Sequence, residues 1–276
     1  MTLKVMKKRQ IRWSVVLLII GFLWMCPLIF MISMSLRKPE KAFEPVLFLF
    51  PVVLQNFKLV FRQNNLLPNF ISSLIITSFS VFLVTLTAAM AAFGLTRKQV
   101  RGKTIIYNTL MLTLMVPISA LVIPLTQINS TLGWINTYQG LIFPYTALGI
   151  PFGLVIIKAF LDNVPPDLED AAIVDGCGVW RLFFLIILPV IRPGLIVVMI
   201  WQFLTSWNEF FLALVTMSET SMKTLTLIPM QYQGFYFSQP GALFAILVVI
   251  CTPMILFYIA VQKYFVRGML AGAIKG

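Results

Sequence analysis

Four acids, Asp167, Glu169, Asp170 and Asp175, fall within nine residues of a chain that holds only nine acids among 276 residues. Carboxylates at that density work in water, where they start a helix or pair with the bases of another molecule. A second group follows: Gln202, Ser206 and Glu209 recur at i, i+4 and i+7, with Thr205, Trp207 and Asn208 beside them. That spacing makes one polar stripe on a helix. Its amides, hydroxyls and carboxylate suit either a polar solute in a pathway or a neighbouring helix, and both readings stand. Chemistry that needs imidazole is excluded outright, because the chain has no His. No catalytic, cofactor-binding or metal-ligating residue is expected. Arg101-Gly102-Lys103-Thr104 imitates the end of a nucleotide-binding loop, but that motif needs a glycine five residues before Gly102, and Arg97 stands there.

The elements around these residues are apolar. Hydrophobic residues make up 59% of the chain and charged ones 11%, with a mean hydropathy of +0.94. This balance specifies an integral membrane protein. Residues 104–157 carry no Lys, Arg, Asp or Glu; as one helix they would extend about 80 Å against a crossing of about 30 Å, so they form a hairpin of two spans. Its turn lies in the polar run 127–139, with Gly133, Asn136 and the interfacial Trp134 and Tyr138. The same rule gives six helical spans, near 13–35, 70–95, 105–127, 138–160, 193–216 and 241–263. The expected fold is all-α, because the apolar runs are continuous and do not alternate as a barrel requires.

Fifteen of the 21 basic residues fall on one side if the N-terminus is cytoplasmic, among them Lys4, Lys7, Lys8, Arg9, Arg12, Arg97, Arg101, Lys103, Lys158, Arg181, Arg192 and Lys263. Six fall outside: Arg37, Lys38, Lys41, Lys58, Arg62 and Lys223. That bias orients both termini to the cytoplasm, and the net charge of +12 anchors the chain against anionic lipid without a nucleic-acid partner. The basic start resembles a secretory signal, but its apolar run is too long and lacks a cleavage site, so it is read as span one. Cys26 and Cys251 fall in spans and Cys177 in a loop, so no disulfide framework is implied. The external segment 36–69 holds a stretch, VLQNFKLVFRQNN, suited to a short amphipathic helix that either binds a partner or caps the bundle.

The loop 160–192 between spans four and five is the longest on the cytoplasmic side. Val164-Pro165-Pro166 stops one helix, Asp167, Glu169 and Asp170 start another, and Asp175-Gly176 ends it. Trp180, Phe183, Phe184 and Ile187 then form an apolar stripe at i, i+3, i+4 and i+7, closed by Leu188-Pro189. Ala171-Ala172 is the expected exposed tip, small enough for another protein to approach. From spacing alone, an amphipathic loop with solvated acids is an equal reading.

The pattern Asp170-Ala171-Ala172, three residues, Gly176, nine residues, Ile186-Ile187-Leu188-Pro189 resembles the EAA loop of permease subunits in bacterial ABC importers. Asp170 stands where that family usually has Glu. Trp207-Asn208-Glu209-Phe210, the tail from Phe265-Val266-Arg267-Gly268 to Gly276, and the stretches AAMAAFGLTR and PPDLEDAA are similar to the carbohydrate-uptake branch that includes the maltose permease subunits. The resemblance covers the chain from about Asn69 onward.

It implies a transport subunit in the bacterial inner membrane, not an enzyme. The implied division is a basic N-terminus 1–12, span one 13–35, an external loop 36–69, a permease core 70–264 and a cytoplasmic tail 265–276. Two permease subunits, expected as a heterodimer, would form the pathway for a sugar or oligosaccharide delivered by an extracytoplasmic binding protein. Two cytoplasmic ATPase subunits would carry ATP and Mg. The implied coupling residues are Glu169, Asp170, Ala171, Ala172, Asp175, Gly176, Leu188 and Pro189, with Lys275 and Gly276 as further contacts. Gln202, Thr205, Ser206, Trp207, Asn208 and Glu209 are the candidate pathway lining. The alternative function is a secondary transporter or channel subunit, for which Glu209 would be the ion-coupling acid.

Overall fold

A computed structural model of the chain describes residues 2–41, 44, 52–64, 66–97, 100–234 and 238–273. Among these residues regular structure is helical throughout, apart from one isolated bridge between Gln233 and Ser238. Four helices are long and apolar enough to cross a bilayer: Trp13–Ser35, Leu66–Arg97, Gln139–Leu161 and Pro240–Gln262. Two bent pairs bring the number up to six if each counts as one span. Lys103–Thr113 meets Ile118–Thr131 at 102°, and Val179–Val190 meets Arg192–Asn208 at 77°.

The straight helices expected over 105–127 and 193–216 are therefore corrected. In the first, residues 114–117 interrupt the helix, because proline disfavours helical backbone in the residue before it and Pro117 is itself extended, with ψ of 139°. In the second, Glu209 is extended, with ψ of 131°, and a separate six-residue helix restarts at Phe211.

The helices are numbered α1 (Thr2–Ser35), α2 (Gln55–Gln63), α3 (Leu66–Arg97), α4 (Lys103–Thr113), α5 (Ile118–Thr131), α6 (Gln139–Leu161), α7 (Asp167–Val174), α8 (Val179–Val190), α9 (Arg192–Asn208), α10 (Phe211–Thr216) and α11 (Pro240–Ala273). They fall into two compact units.

One unit comprises Met1–Asn65 and Ile228–Thr252. Here α2 is the short amphipathic helix expected in the external segment. Its inner face is fixed by Asn56, whose amide donates to the carbonyls of Ser35 at 2.9 Å and Arg37 at 2.7 Å. A side chain at Gly241 would collide with that amide. Asn64 donates to the phenol of buried Tyr232, and burial holds that phenol above its usual pKa.

The other unit comprises Leu66–Leu227 and Pro253–Gly276. Small residues dominate the seam between α3 and α6. Ala88, Ala89 and Ala92 are fully buried, and a Cβ on Gly153 would lie 2.8 Å from that of Ala88. Close backbone approach of this kind is how membrane helices gain packing energy without a hydrophobic driving force. The expected turn between α5 and α6 contains Gly133 and Asn136, both at positive φ. Asn136 ties it to the end of α10: its N–H donates to Thr216 O, and its side-chain oxygen accepts from the N–H groups of Ser218 and Glu219.

Candidate functional site: a docking helix and a polar cavity

Helix α7 forms for local reasons. Pro165 and Pro166 precede it, three carboxylates occupy its first turn, and its carbonyls find caps at the other end. Gly176, at φ +77°, donates to Ile173 O, and Cys177 donates to Ala172 O. This left-handed closure is the one a glycine at that position allows.

The helix is two-faced in a way the sequence reading did not anticipate. Asp170, Ala171, Asp175 and Gly176 are exposed, as are Ile173 and Val174. Glu169 and Ala172 are not part of that surface. Ala172 is 6% exposed and belongs to the core cluster with Leu182, Phe183 and Ile187, so the expected tip of two alanines is corrected to Ala171 alone. Glu169 also turns inward, 9% exposed, because Arg97 waits there. The guanidinium Nε lies 2.8 Å from Glu169 Oε1, and Nη2 donates to the carbonyls of Leu161 at 2.8 Å and Val164 at 2.6 Å. The Nε–H does not point along the line to the carboxylate, so that attraction is between two charges and not a directed hydrogen bond. Removing one partner of a buried pair costs about 3–5 kcal/mol, since the other charge is left unpaired.

Helix α8 departs from the expected stripe. Leu182–Ile187 is a π turn, and its extra residue per turn breaks the i, i+3, i+4, i+7 register. Leu182, Phe183 and Ile187 are buried, while Trp180 and Phe184 face outward and stack on each other at 6.2 Å. Leu188 is half-buried and Pro189 exposed, both in the last turn before the bend into α9. Lys275 and Gly276 lie outside the described residues.

Of the polar stripe, the structure brings together Gln202, Thr205, Ser206 and Glu209, which line a cavity of about 230 Å³ with Tyr145, Gly149 and Trp201. The interrupted stretch between α4 and α5 adds Leu114 and Val116 to the lining, and the start of α5 adds Ile118. Non-helical backbone at membrane depth is tolerated where it borders such a cavity. Buried Gln202 donates to Ser206 Oγ at 2.8 Å and Tyr145 O at 3.2 Å. Gly149 is what lets α6 come this close: a Cβ there would sit 2.2 Å from Gln202 Oε1. Trp201 is half exposed and stacks on Phe152 at 4.5 Å.

Glu209 is not the last member of a continuous stripe. It lies beyond the end of α9 and caps α10, accepting from Leu212 N at 2.9 Å and Ala213 N at 3.1 Å, and Tyr145 Oη donates to it at 2.6 Å. Trp207 and Asn208 are absent from the lining. One residue turns a helix by about 100°, which swings Trp207 away from Ser206. Trp207 is 2% exposed and packs against Phe70 and Phe203, and Asn208 bonds back to Leu204 O.

The sequence reading missed Arg97, Tyr145 and Gly149. The first has a faint signal: a base closing a long apolar helix, within one loop of an acid-rich segment. The other two have none, since both lie in an uncharged run where any face of the helix is equally apolar.

The chain matches the family described as "Binding-protein-dependent transport system inner membrane component" over residues 84–271. It is 32% identical to a putative ABC transporter permease protein of Caldicellulosiruptor sp., over 91% of each chain. It is 30% identical to the trehalose transport system permease protein SugB of Mycobacterium tuberculosis, over 98% of this chain and 99% of that one. In fold it is similar to a chain of a bacterial ABC transporter involved in the import of the acidic polysaccharide alginate, with a TM-score of 0.80 over 94% of this chain and 97% of that one at 20% identity. With an all-helical membrane fold and a family match across most of its length, the chain belongs to the inner-membrane components of binding-protein-dependent transport systems.

Proposed function

We propose that this permease forms half of the translocation pathway for a sugar or oligosaccharide, together with a second, non-identical permease subunit. Two cytoplasmic ATPases bind and hydrolyse ATP with Mg, and an extracytoplasmic binding protein delivers the sugar. The chain itself carries transport and no ATPase site. It crosses the membrane six times with both termini cytoplasmic, counting each bent pair as one span, and its core is 70–264 between the external loop 36–69 and the tail 265–276.

The observation that carries this reading is the division of α7 into two faces. Asp170, Ala171, Asp175 and Gly176 are free for another protein, while Ala172 and Glu169 hold the helix to the core. Leu188 and Pro189 support it from the end of α8. A short helix presented this way suits a cleft in a partner better than a solvated loop. Lys275 and Gly276 are proposed as secondary contacts.

The sugar class is supported by the cavity chemistry and by the relative that transports trehalose. Hydroxyls, an amide and a half-exposed indole suit a polyol, which needs many hydrogen bonds and a flat apolar face. Secondary transport is the weaker reading, because the carboxylate of Glu209 already has three protein donors. Reconstitution with the ATPase, the second permease and the binding protein tests the proposal against maltose, trehalose and raffinose. ATP-dependent accumulation of one of them is expected. Uptake driven by a proton or sodium gradient without the ATPase would overturn it.

A further inference from the structure

We infer that Arg97 is a positioning residue that transmits movement of α7 to the walls of the polar cavity, with Glu169 as its contact on the docking helix. This rests on the docking role proposed for α7.

Three elements meet at one guanidinium. Arg97 is the last residue of α3. Its Nη2 holds the carbonyl of Leu161, the last residue of α6, and that of Val164 just beyond it. Its Nε faces Glu169 in the first turn of α7. The carbonyls at a helix end lack partners within the helix, so the arginine completes the end of α6 while it grips α7. Both charged side chains are nearly enclosed, 13% and 11% exposed. The guanidinium presents separate nitrogens to its neighbours, Nη2 to the two carbonyls and Nε to the carboxylate, which the single nitrogen of an ammonium does not.

The rest of the route is rigid packing. Helix α6 carries Tyr145 and Gly149 at the cavity, and α3 is locked to α6 through Val84 and Ala88 against Gly149 and Gly153. A push on the exposed face of α7 therefore reaches α3 and α6 together at one point. The remaining anchor of α7, Ala172, is an apolar contact within the cluster formed with α8. Such a contact can slide; the guanidinium is fixed by its two carbonyl bonds, and the buried carboxylate of Glu169 stays by the charge it needs.

The test uses the assembled transporter with Cys26, Cys177 and Cys251 replaced by serine and Trp201→Cys as a reporter in the cavity. Maleimide labelling is followed with and without ATP plus vanadate. In the Glu169→Gln variant, association with the ATPase and basal hydrolysis should persist, while the ATP-dependent change in labelling rate falls about tenfold, the scale of a coupling energy between sites. An undiminished labelling change would overturn the inference. So would loss of ATPase association, which would make the pair part of docking and not of transmission. Should Glu169→Gln fail to fold, Arg97→Lys serves. It keeps the charge but has no second nitrogen to face Glu169 while the first holds the two carbonyls, and at least half of the labelling change is expected to disappear; full retention overturns the inference. Failure of the docking proposal is separately visible, since Asp170→Lys would then leave ATPase association intact.

Discussion

Tyr145 and Glu209, 64 positions apart in sequence, are joined by a 2.6 Å hydrogen bond across the polar cavity. The phenol donates to a carboxylate oxygen that also accepts from Ala213 N, while the other oxygen accepts from Leu212 N. The acid is thus employed in holding α10 and α6 to one another. Its replacement by Gln leaves an oxygen for the backbone of α10, so uptake should stay within about twofold of the parent, whereas Glu209→Ala should cost about 3–4 kcal/mol, because it loses the cap and the bond from the Tyr145 phenol together. Tyr145→Phe should cost about 1.5–3 kcal/mol, the range for hydrogen bonds to charged groups. Melting of the purified complex and ATP-driven uptake check all three variants. Uptake abolished in Glu209→Gln at unchanged melting would mean that the charge itself is required.

Two glycines, one packed in the seam and one outside it, make a sharper pair. Gly149→Ala places a methyl 2.2 Å from Gln202 Oε1 and 2.8 Å from Val84 Cγ2, whereas Gly94 in α3 has nothing within 4 Å. Overpacking should cost Gly149→Ala about 1–3 kcal/mol and displace Gln202 from the cavity. Gly94→Ala should be neutral or stabilise by up to about 1 kcal/mol, because alanine suits a helix interior better. Thermal melting of the two variants side by side decides the matter.

The two tryptophans of α9 should separate function from stability. Trp201 borders the cavity and is half exposed, while Trp207 is buried between aromatic rings. Trp201→Ala should lower sugar uptake about tenfold at nearly unchanged melting, as expected for loss of about 1.4 kcal/mol of binding. Trp207→Ala should cost about 3–5 kcal/mol and leave little assembled protein in the membrane fraction.

At Gly176 the constraint is conformational and not steric. Its φ is +77°, and no atom lies within 4 Å of where a Cβ would be. Gly176→Asn should be better tolerated than Gly176→Val, the latter costing about 1–2 kcal/mol or more because only short polar residues visit the left-handed region readily. ATPase association of the two variants, ranked against the parent, is the measurement.

Much of this architecture is legible in the residue pattern, because a bilayer punishes unsatisfied backbone so strongly that apolar runs translate into helices. The bounds of α3 and α6, the turn at Gly133 and Asn136, and the start and end of α7 at Pro166 and Gly176 all follow from local chemistry. What pattern alone does not disclose is which way a helix faces when both sides are plausible. Glu169 and Asp170 are adjacent acids, and only the presence of Arg97 across the fold turns one inward and leaves the other outside. The breaks at Pro117 and Glu209 are hidden for a related reason. Hydropathy is blind to a bend, and Glu209 fits a helical period until the N–H groups of Leu212 and Ala213 claim it.

The π turn in α8 has a bearing on how such loops diverge. It holds a surplus residue, so a single deletion within 182–187 could return the helix to ordinary pitch without severing it, while rotating everything upstream by about 100°. With α7 in the docking role proposed for it, lineages that gained or lost that residue would offer a different edge of the helix to their motors, making this a natural place for one permease to drift out of compatibility with another's ATPase.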